Sequence, residues 1–250
     1  MAKLSALIVA HNEEPRLDEC LARLGFADEI VVVLDRCTDA SKAIAEKHGA
    51  KTCEGNWPVE GERRHAGIDA CTGPWILEVD ADEWVDAALA AEISAAVKAD
   101  STDFHFMPMH NHVGGRWVRH GWMAALAPDL KGSLFRKGHK TWGVEPVHPN
   151  VSFSGTRGPD FVGGIRHNFV DDVSGLIKRF NRNTTLKAQE LAESGEMAKT
   201  RSLARKAISR FWKCYVARKG YCEGPWGVLI ALMAALYPIL SHLKARLEAE

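Results

Sequence analysis

The sequence predicts an α/β fold with a doubly wound, mostly parallel sheet, and three apolar segments carry this prediction. Residues 4–10, 30–34 and 75–79 are near-continuous apolar runs, which are typical of parallel strands covered on both faces. Apolar side chains recur at helical spacing between these runs, in residues 15–24, 40–48 and 61–71, and residues 50–53 predict a further short strand. This alternation of strands and helices is the pattern of a doubly wound sheet.

Polar residues follow each of the three long strands where the strand ends. They are Asn12 and Glu13, then Asp35 and Asp39, and finally Asp80 and Asp82. Right-handed crossovers place the carboxyl ends of parallel strands at the same edge of a sheet. Ligands of open α/β sheets bind at that edge, so the sequence predicts a nucleotide site there.

The last of these loops is the most acidic, with Asp80, Asp82 and Glu83 in four residues. Asp80 and Asp82 are alternate residues at a strand end, a spacing that suits a hard divalent cation bound to a nucleotide's phosphates. Glu83 is expected to contact the residues that bind the metal and not the metal itself. Neither the dinucleotide fingerprint G-x-G-x-x-G nor the phosphate-binding G-x-x-x-x-G-K-[ST] is present, which favours a metal as the phosphate-binding element.

Composition excludes several other classes of protein. Lysine plus arginine balances aspartate plus glutamate at 32 each in the 250 residues, which argues against a nucleic-acid-binding protein. The six cysteines include no C-x-x-C pair, so neither a zinc site nor a disulfide framework is indicated. The start of the chain has no signal-peptide pattern, and we expect a cytoplasmic protein with reduced thiols.

Four motifs in the first third of the chain resemble family 2 glycosyltransferases with the GT-A fold. They are LIVAHNEE at 7–14, VLDRCTDAS at 33–41 (similar to VVDDGSTDGT), GERRHAG at 61–67 (similar to G…RNxG) and the Asp-x-Asp motif at 80–83. The resemblance implies a Rossmann-like, mostly parallel sheet flanked by helices, and a nucleotide-sugar donor. Leu34 stands where the family has the first acidic residue of its DD pair, and His65 where it has asparagine.

The resemblance also implies roles for individual residues. The nucleotide would be bound by a set of five side chains: Asn12, Glu13, Asp35, Arg64 and Asp80. Asp35 and Arg64 would contact the uracil or ribose. A solvated helix face is the alternative for Arg63 and Arg64, and we expect one of the two to lie on it. Asp80 and Asp82 would hold Mg²⁺ or Mn²⁺, with His167 as a third ligand and His148 as its rival.

Beyond residue 100 the chain resembles a narrower subgroup, the lipopolysaccharide-core glucosyltransferases. The matching segments are RWVRHGW at 116–122, LFR at 134–136, WGVEPVH at 142–148 and IRH at 165–167. An inverting transfer needs a carboxylate that takes the proton of the acceptor hydroxyl, and Glu145 is the candidate. Pro149 stands where the subgroup often has glutamate, and Asp129 is the alternative base. His148 and Trp122 would line the acceptor pocket.

The C-terminal segment, residues 171–250, is predicted to be helical. Residues 199–219 are basic and interleaved with aromatic residues, and residues 225–241 carry no charge. This combination favours attachment to an anionic membrane surface, with a buried helix and a solvated basic face as the alternative. An enzyme of this kind would sit on the cytoplasmic face of the inner membrane.

The sequence therefore predicts two parts and one activity. Residues 1–170 would form the GT-A domain, with a nucleotide-sugar half at 1–100 and an acceptor half at 101–170, and residues 171–250 a membrane-associating tail. The activity implied is metal-dependent, inverting transfer of glucose from UDP-glucose to a glycolipid such as lipopolysaccharide inner core. Transfer to another lipid or a soluble acceptor, and a nucleotide-sugar-binding module with impaired catalysis, are the alternatives.

Overall fold

The computed structural model describes residues 4–124, 126–144, 149–195 and 200–247. Its strands are β1 (Leu4–Ala10), β2 (Glu29–Asp35), β3 (Lys51–Gly55), β4 (Trp75–Asp80), β5 (Glu83–Trp84), β6 (Phe104–Val113), β7 (Arg116–Trp117), β8 (Leu130–Arg136), β9 (Lys140–Trp142), β10 (Val151–Phe153) and β11 (Ile165–Val170). Its helices are α1 (Glu14–Ala22), α2 (Ser41–Lys47), α3 (Glu60–Ala70), α4 (Ala87–Ala99), α5 (Val173–Ser194), α6 (Thr200–Trp212) and α7 (Pro225–Leu247). A π-helical turn and a 3-10 turn, Lys213–Ala217 and Gly220–Glu223, lie between α6 and α7.

The chain divides into two compact units, and each contains two segments. The first unit comprises Met1–Met109 and Leu130–His167, and the second comprises His110–Asp129 and Asn168–Glu250. Residues 110–129, which the sequence analysis placed in the acceptor half, therefore group with the C-terminal helices. Strands β6 and β11 begin in the first unit and end in the second.

The sheet of the first unit begins as the doubly wound sheet that the sequence predicts. Its strands run in the order β3-β2-β1-β4-β8-β6-β11-β5. The first four are parallel, and β8 pairs antiparallel with both β4 and β6. Val9 near the end of β1 lies between Val33 of β2 and Asp80 of β4. The three polar loops thus leave the sheet at the same edge.

The first unit is held together by the apolar runs that predicted its strands. Leu7 and Ile8 of β1 and Trp75 of β4 are completely buried. Helix α3 packs closely on this sheet at Gly67, where an added Cβ would lie 2.5 Å from a Leu7 methyl group and 2.8 Å from one of Val33. This close approach brings the arginines of α3 to the polar edge of the sheet.

The second unit is a helical assembly whose core includes Trp122, Phe180, Ile230 and Tyr237. Helix α5 begins at a capping residue, Asp172, and ends at Gly195, whose φ of +67° favours glycine. The carboxylate of Glu223 is buried and accepts hydrogen bonds from the backbone N–H groups of Arg119 (2.8 Å) and His120 (3.1 Å), and from the Arg116 side chain (3.2 Å). This carboxylate fixes the RWVRH segment to the 3-10 turn before α7.

Candidate functional site

The loops that follow β1 and β2 are joined to each other at the polar edge of the sheet. The side-chain oxygen of Asn12 accepts a hydrogen bond from the backbone N–H of Thr38 at 2.8 Å, and the N–H of Glu13 donates to Ser41 Oγ at 3.0 Å. Asn12 and Arg36 both have left-handed backbones, with φ of +57° and +52°, a conformation that costs a non-glycine residue about 1–2 kcal/mol. Such strain is concentrated at functional sites, and it supports a binding role for these loops.

Asp35, at the end of β2, is the buried anion of this edge. Its side chain accepts hydrogen bonds from Arg36 (2.8 and 3.1 Å), from the Trp57 backbone N–H (3.1 Å) and from Arg63 (3.1 Å). Burial raises the pKa of Asp35, but these hydrogen bonds more than offset it and leave the pKa below its ordinary value. Asp35 therefore stays ionised and positions two arginines.

This lowered pKa predicts how stability depends on pH. A carboxyl whose folded pKa lies below its unfolded value of about 3.9 stabilises the fold above that value, and the contribution is lost as pH falls through the folded pKa. We expect the free energy of unfolding of the wild type to fall more steeply below about pH 5 than that of Asp35→Asn. Denaturant midpoints measured against pH test this, with exposed Asp69→Asn as the control. Parallel curves for the wild type and Asp35→Asn would contradict it.

The two arginines of α3 have different partners from those predicted. Arg63, and not Arg64, reaches Asp35, whereas Arg64 is buried and its guanidinium lies 2.8 Å from Asp80 and 3.1 Å from Glu60. The predicted contact of Arg64 with uracil or ribose is not supported, because its side chain is directed toward the acidic end of β4. Of the pair, Arg63 is the more solvated, with 24% of its side chain exposed, but it is held by Asp35 and does not lie free on the helix face.

Asp80 lies between two cations, the buried Arg64 and the partly exposed Lys131. Its Oδ1 pairs with Arg64 and its Oδ2 with Lys131 Nζ at 2.9 Å. Lys131 also donates to both oxygens of Glu83, at 2.7 and 2.8 Å, and Glu83 accepts from the Asp80 backbone N–H at 2.9 Å. Burial opposes ionisation of Asp80, but Arg64 and Lys131 hold its pKa well below its usual range. Asp80 is therefore an ionised anchor at the end of β4.

Asp82 lies near His167, the histidine expected as the third metal ligand. Antiparallel pairing of β11 with β5 sets His167 opposite Glu83, and His167 Nε2 is 3.5 Å from Asp82 Oδ2. Arg16 is 3.8 Å from the same oxygen. The pKa of Glu13 is raised by burial and next by Asp82, so the two carboxylates lie close enough to repel each other.

Asp82 and His167 are the residues that could hold a divalent cation. The carboxylate oxygen of Asp82 suits Mg²⁺ or Mn²⁺, whereas the imidazole nitrogen of His167 suits a transition metal such as Mn²⁺ better than Mg²⁺. Within the described ranges, no three His, Cys, Asp or Glu side chains converge as a metal-binding group. Mg²⁺ is usually bound by one or two carboxylates together with substrate phosphates, so a protein pair completed by a diphosphate fits this donor set. Asp80 fits less well as a direct ligand, because both its oxygens are held by cations.

The residues predicted for the catalytic base and the acceptor pocket lie in different places, and two of them are not described by the structure. Glu145 and His148 lie outside the described residues. Asp129, the alternative base, forms an ion pair with Arg218 in the second unit. Trp122 is only 2% exposed, donates to the Val118 carbonyl at 2.8 Å and packs on Phe169. The predicted acceptor contact of Trp122 is not supported, because its indole is enclosed in the core.

Three side chains of the site were not predicted from the sequence: Lys131, Glu78 and Lys140. Lys131 is described above, and Glu78 of β4 is completely buried and accepts from Lys140 (2.9 Å) and Trp142 (3.1 Å). A charged residue within the apolar run of β4 was the available signal for Glu78, because buried carboxylates are almost always paired. Lys131 and Lys140 carry no comparable local signal.

Comparisons with known proteins agree with this architecture. The family model of glycosyl transferase family 2 matches residues 5–148. The lipopolysaccharide core biosynthesis glycosyltransferase LpsC of Rhizobium meliloti is 26% identical over 265 residues, which cover 96% of this chain and 91% of that protein. An uncharacterized glycosyltransferase of Rickettsia bellii is 32% identical, over 98% of this chain and 86% of its own length.

A solved structure of Staphylococcus aureus TarS, residues 1–349 with UDP, has the same fold. Its TM-score is 0.52 at 14% identity, and the match covers 98% of this chain and 91% of that one. The predicted GT-A fold with a C-terminal helical extension is thereby confirmed. Since the family model matches more than half of the chain, the protein belongs to glycosyl transferase family 2.

Proposed function

We propose that this family 2 glycosyltransferase transfers glucose from UDP-glucose to a membrane glycolipid, by a metal-dependent inverting reaction. The observation that carries the proposal is the convergence of Asp35, Asp80, Asp82 and His167 at the carboxyl edge of one sheet. That edge is where nucleotides bind in open α/β folds.

The donor is proposed from the chemistry of this edge and from the structural neighbours. TarS, with a TM-score of 0.51–0.52, has been solved with UDP and with UDP-GlcNAc. In this chain Asp35 is a buried hydrogen-bond acceptor, and Arg36 and Arg63, which donate to it, are cations on either side. Together they offer polar contacts to a nucleoside. The strained loop at Asn12 lies beside them. A uridine diphosphate sugar fits this set of groups.

The leaving diphosphate needs positive charge as its bond to the sugar breaks. A divalent cation, when bound by Asp82 and His167, would supply charge to that group. The chain's own residues fix the end of β4, because Arg64 and Lys131 hold the ionised Asp80 carboxylate in one position. An inverting reaction is a single displacement, in which a carboxylate takes the acceptor proton. Glu145 remains the proposed base.

The acceptor is proposed from the relative and from the surface of the helical unit. LpsC is a lipopolysaccharide core biosynthesis glycosyltransferase by name. Helix α7 is long and apolar enough to cross a membrane, and 44% of its most apolar window is buried. Val228, Leu232, Leu236 and Leu243 of α7 are nevertheless exposed, which suits peripheral attachment to an anionic leaflet. Flotation with anionic vesicles tests this attachment, and protein left in the soluble fraction would contradict it.

Donor binding is tested by a thermal-shift titration with a panel of nucleotide-sugars, with and without Mn²⁺. A ligand that binds only the folded state raises the melting temperature by mass action. We expect UDP-glucose to give the largest shift, and the shift to require metal. A shift that is equal for guanosine- and uridine-linked sugars, or that is unchanged by a chelator, would contradict the proposed donor or the proposed metal.

A further inference from the structure

The helical unit contains a cavity of about 580 Å³ that has no part in the donor site. Its walls come from α5, α6, the π-helical turn and α7, together with Met123. Five basic side chains line it: Lys187, Arg205, Lys206, Arg210 and Lys213. No aspartate or glutamate is among the described residues that line it. A cavity of this volume has the dimensions of a small-molecule site, and its positive charge favours an anion.

Three buried polar atoms of the lining have no hydrogen-bond partner among the described residues. They are Ser241 Oγ, His242 Nδ1 and Arg210 Nη1. Ser241 is 1% exposed and His242 is 6% exposed, so water has little access to them. Buried polar groups in native proteins are nearly always satisfied, so a ligand that enters the cavity and reaches these atoms would supply the bonds that they lack.

The basic groups are not all equivalent. Lys187 is already paired with Glu190 along α5, whereas the Arg210 guanidinium lies 5.5 Å from the centre of the Tyr237 ring. This stacking holds Arg210 in place, with its Nη1 unbonded. Arginine, lysine and hydroxyl donors in one cavity match the oxygens of a phosphate group. Leu191 and Leu203 add apolar wall beside them, where a phosphate's carbon substituent can pack.

We propose that this cavity binds a phosphate group carried by an organic ligand, with Arg205, Arg210 and Lys213 as its charged contacts and Ser241 and His242 as its buried ones. The phosphate can belong to a phospholipid head group or to a soluble phosphate ester, since both present the same oxygens. The site lies within the helical unit, and it does not depend on the transferase reaction proposed for the first unit.

The test uses the full-length protein and two probes. Isothermal titration with glycerol 3-phosphate measures the soluble source, and flotation with phosphatidylcholine vesicles with or without phosphatidylglycerol measures the lipid source. The pocket variant Arg205→Gln/Lys213→Gln removes two charges from the cavity. The control Arg201→Gln/Arg246→Gln removes two charges from exposed positions of α6 and α7 outside it. Ser209→Trp, at an exposed lining position, fills the cavity without changing charge.

We expect the pocket pair and Ser209→Trp to weaken binding about tenfold or more, and the control pair to leave it nearly unchanged. Binding of glycerol 3-phosphate that the pocket pair weakens would assign a soluble ester. Binding only to phosphatidylglycerol vesicles, weakened by the pocket pair and Ser209→Trp but not by the control pair, would assign a lipid head group. Equal weakening by the two charge pairs, with Ser209→Trp unaffected, would overturn the proposal in favour of general attraction to anionic surfaces. Absence of binding to both probes would also overturn it. Circular dichroism of each variant excludes misfolding as the cause.

Discussion

Asp82→Asn should lower sugar transfer by at least about a hundredfold, because the variant loses the carboxylate that would hold the cation with His167. The amide keeps the size of the side chain but removes its negative charge. The effect should appear as a higher metal concentration needed for half-maximal turnover, together with a lower maximal rate. Turnover is measured with UDP-glucose and membrane lipid across a Mn²⁺ titration.

The matched control for this variant is Asp69→Asn, which changes an exposed aspartate of the same unit. It should retain the wild-type rate and the wild-type metal dependence. Full turnover of Asp82→Asn, with a metal requirement equal to that of the control, would exclude Asp82 as a metal ligand. Asp80 would then be the metal-binding carboxylate, and Arg64 and Lys131, which now hold its oxygens, would have to move when the donor binds.

Lys131→Met should reduce the free energy of unfolding by about 3 kcal/mol or more, because removing one partner leaves buried charge without compensation. The Lys131 ammonium pairs with Asp80 and Glu83, and its own side chain is 16% exposed. Burial and Asp80 raise the pKa of Glu83, whereas Lys131 lowers it. Without Lys131, Glu83 should take up a proton more readily, so the loss of stability should be smaller at acid pH.

Urea unfolding of the variant measures this loss, with Lys42→Met as the control. Lys42 forms an exposed ion pair with Glu54 at 2.6 Å, and such pairs contribute at most about 1 kcal/mol. The second variant Lys131→Met/Glu83→Gln should recover part of the stability, since it removes the uncompensated carboxylate. A loss for Lys131→Met no larger than the control's would show that the buried cluster is not held by this lysine.

The parallel half of the fold could be predicted because its signals are local. The runs that became β1, β2 and β4 are apolar at nearly every position, and the polar residues after them mark the edge at which open α/β sheets bind ligands. Strands β8 to β11 are short or mixed in character, and their pairing joins distant parts of the chain. No window of sequence contains that information.

The same contrast explains the candidate site. Asp80 and Asp82 could be found because their spacing along a strand end is itself the signal. Arg63 and Arg64 are neighbours on one helix, and only the packing of α3 at Gly67 decides which one reaches Asp35. The contact of Lys131 with Asp80 depends on the pairing of β8 beside β4, which the sequence does not show.

The product formed from labelled UDP-glucose and a lipid extract of Gram-negative inner membranes tests the proposed transfer reaction. We expect metal-dependent transfer of glucose to a glycolipid, with an anomeric configuration opposite to that in the donor. Magnetic resonance of the purified product reads that configuration. Retention of the donor's configuration, or release of glucose without transfer to any lipid, would contradict the account.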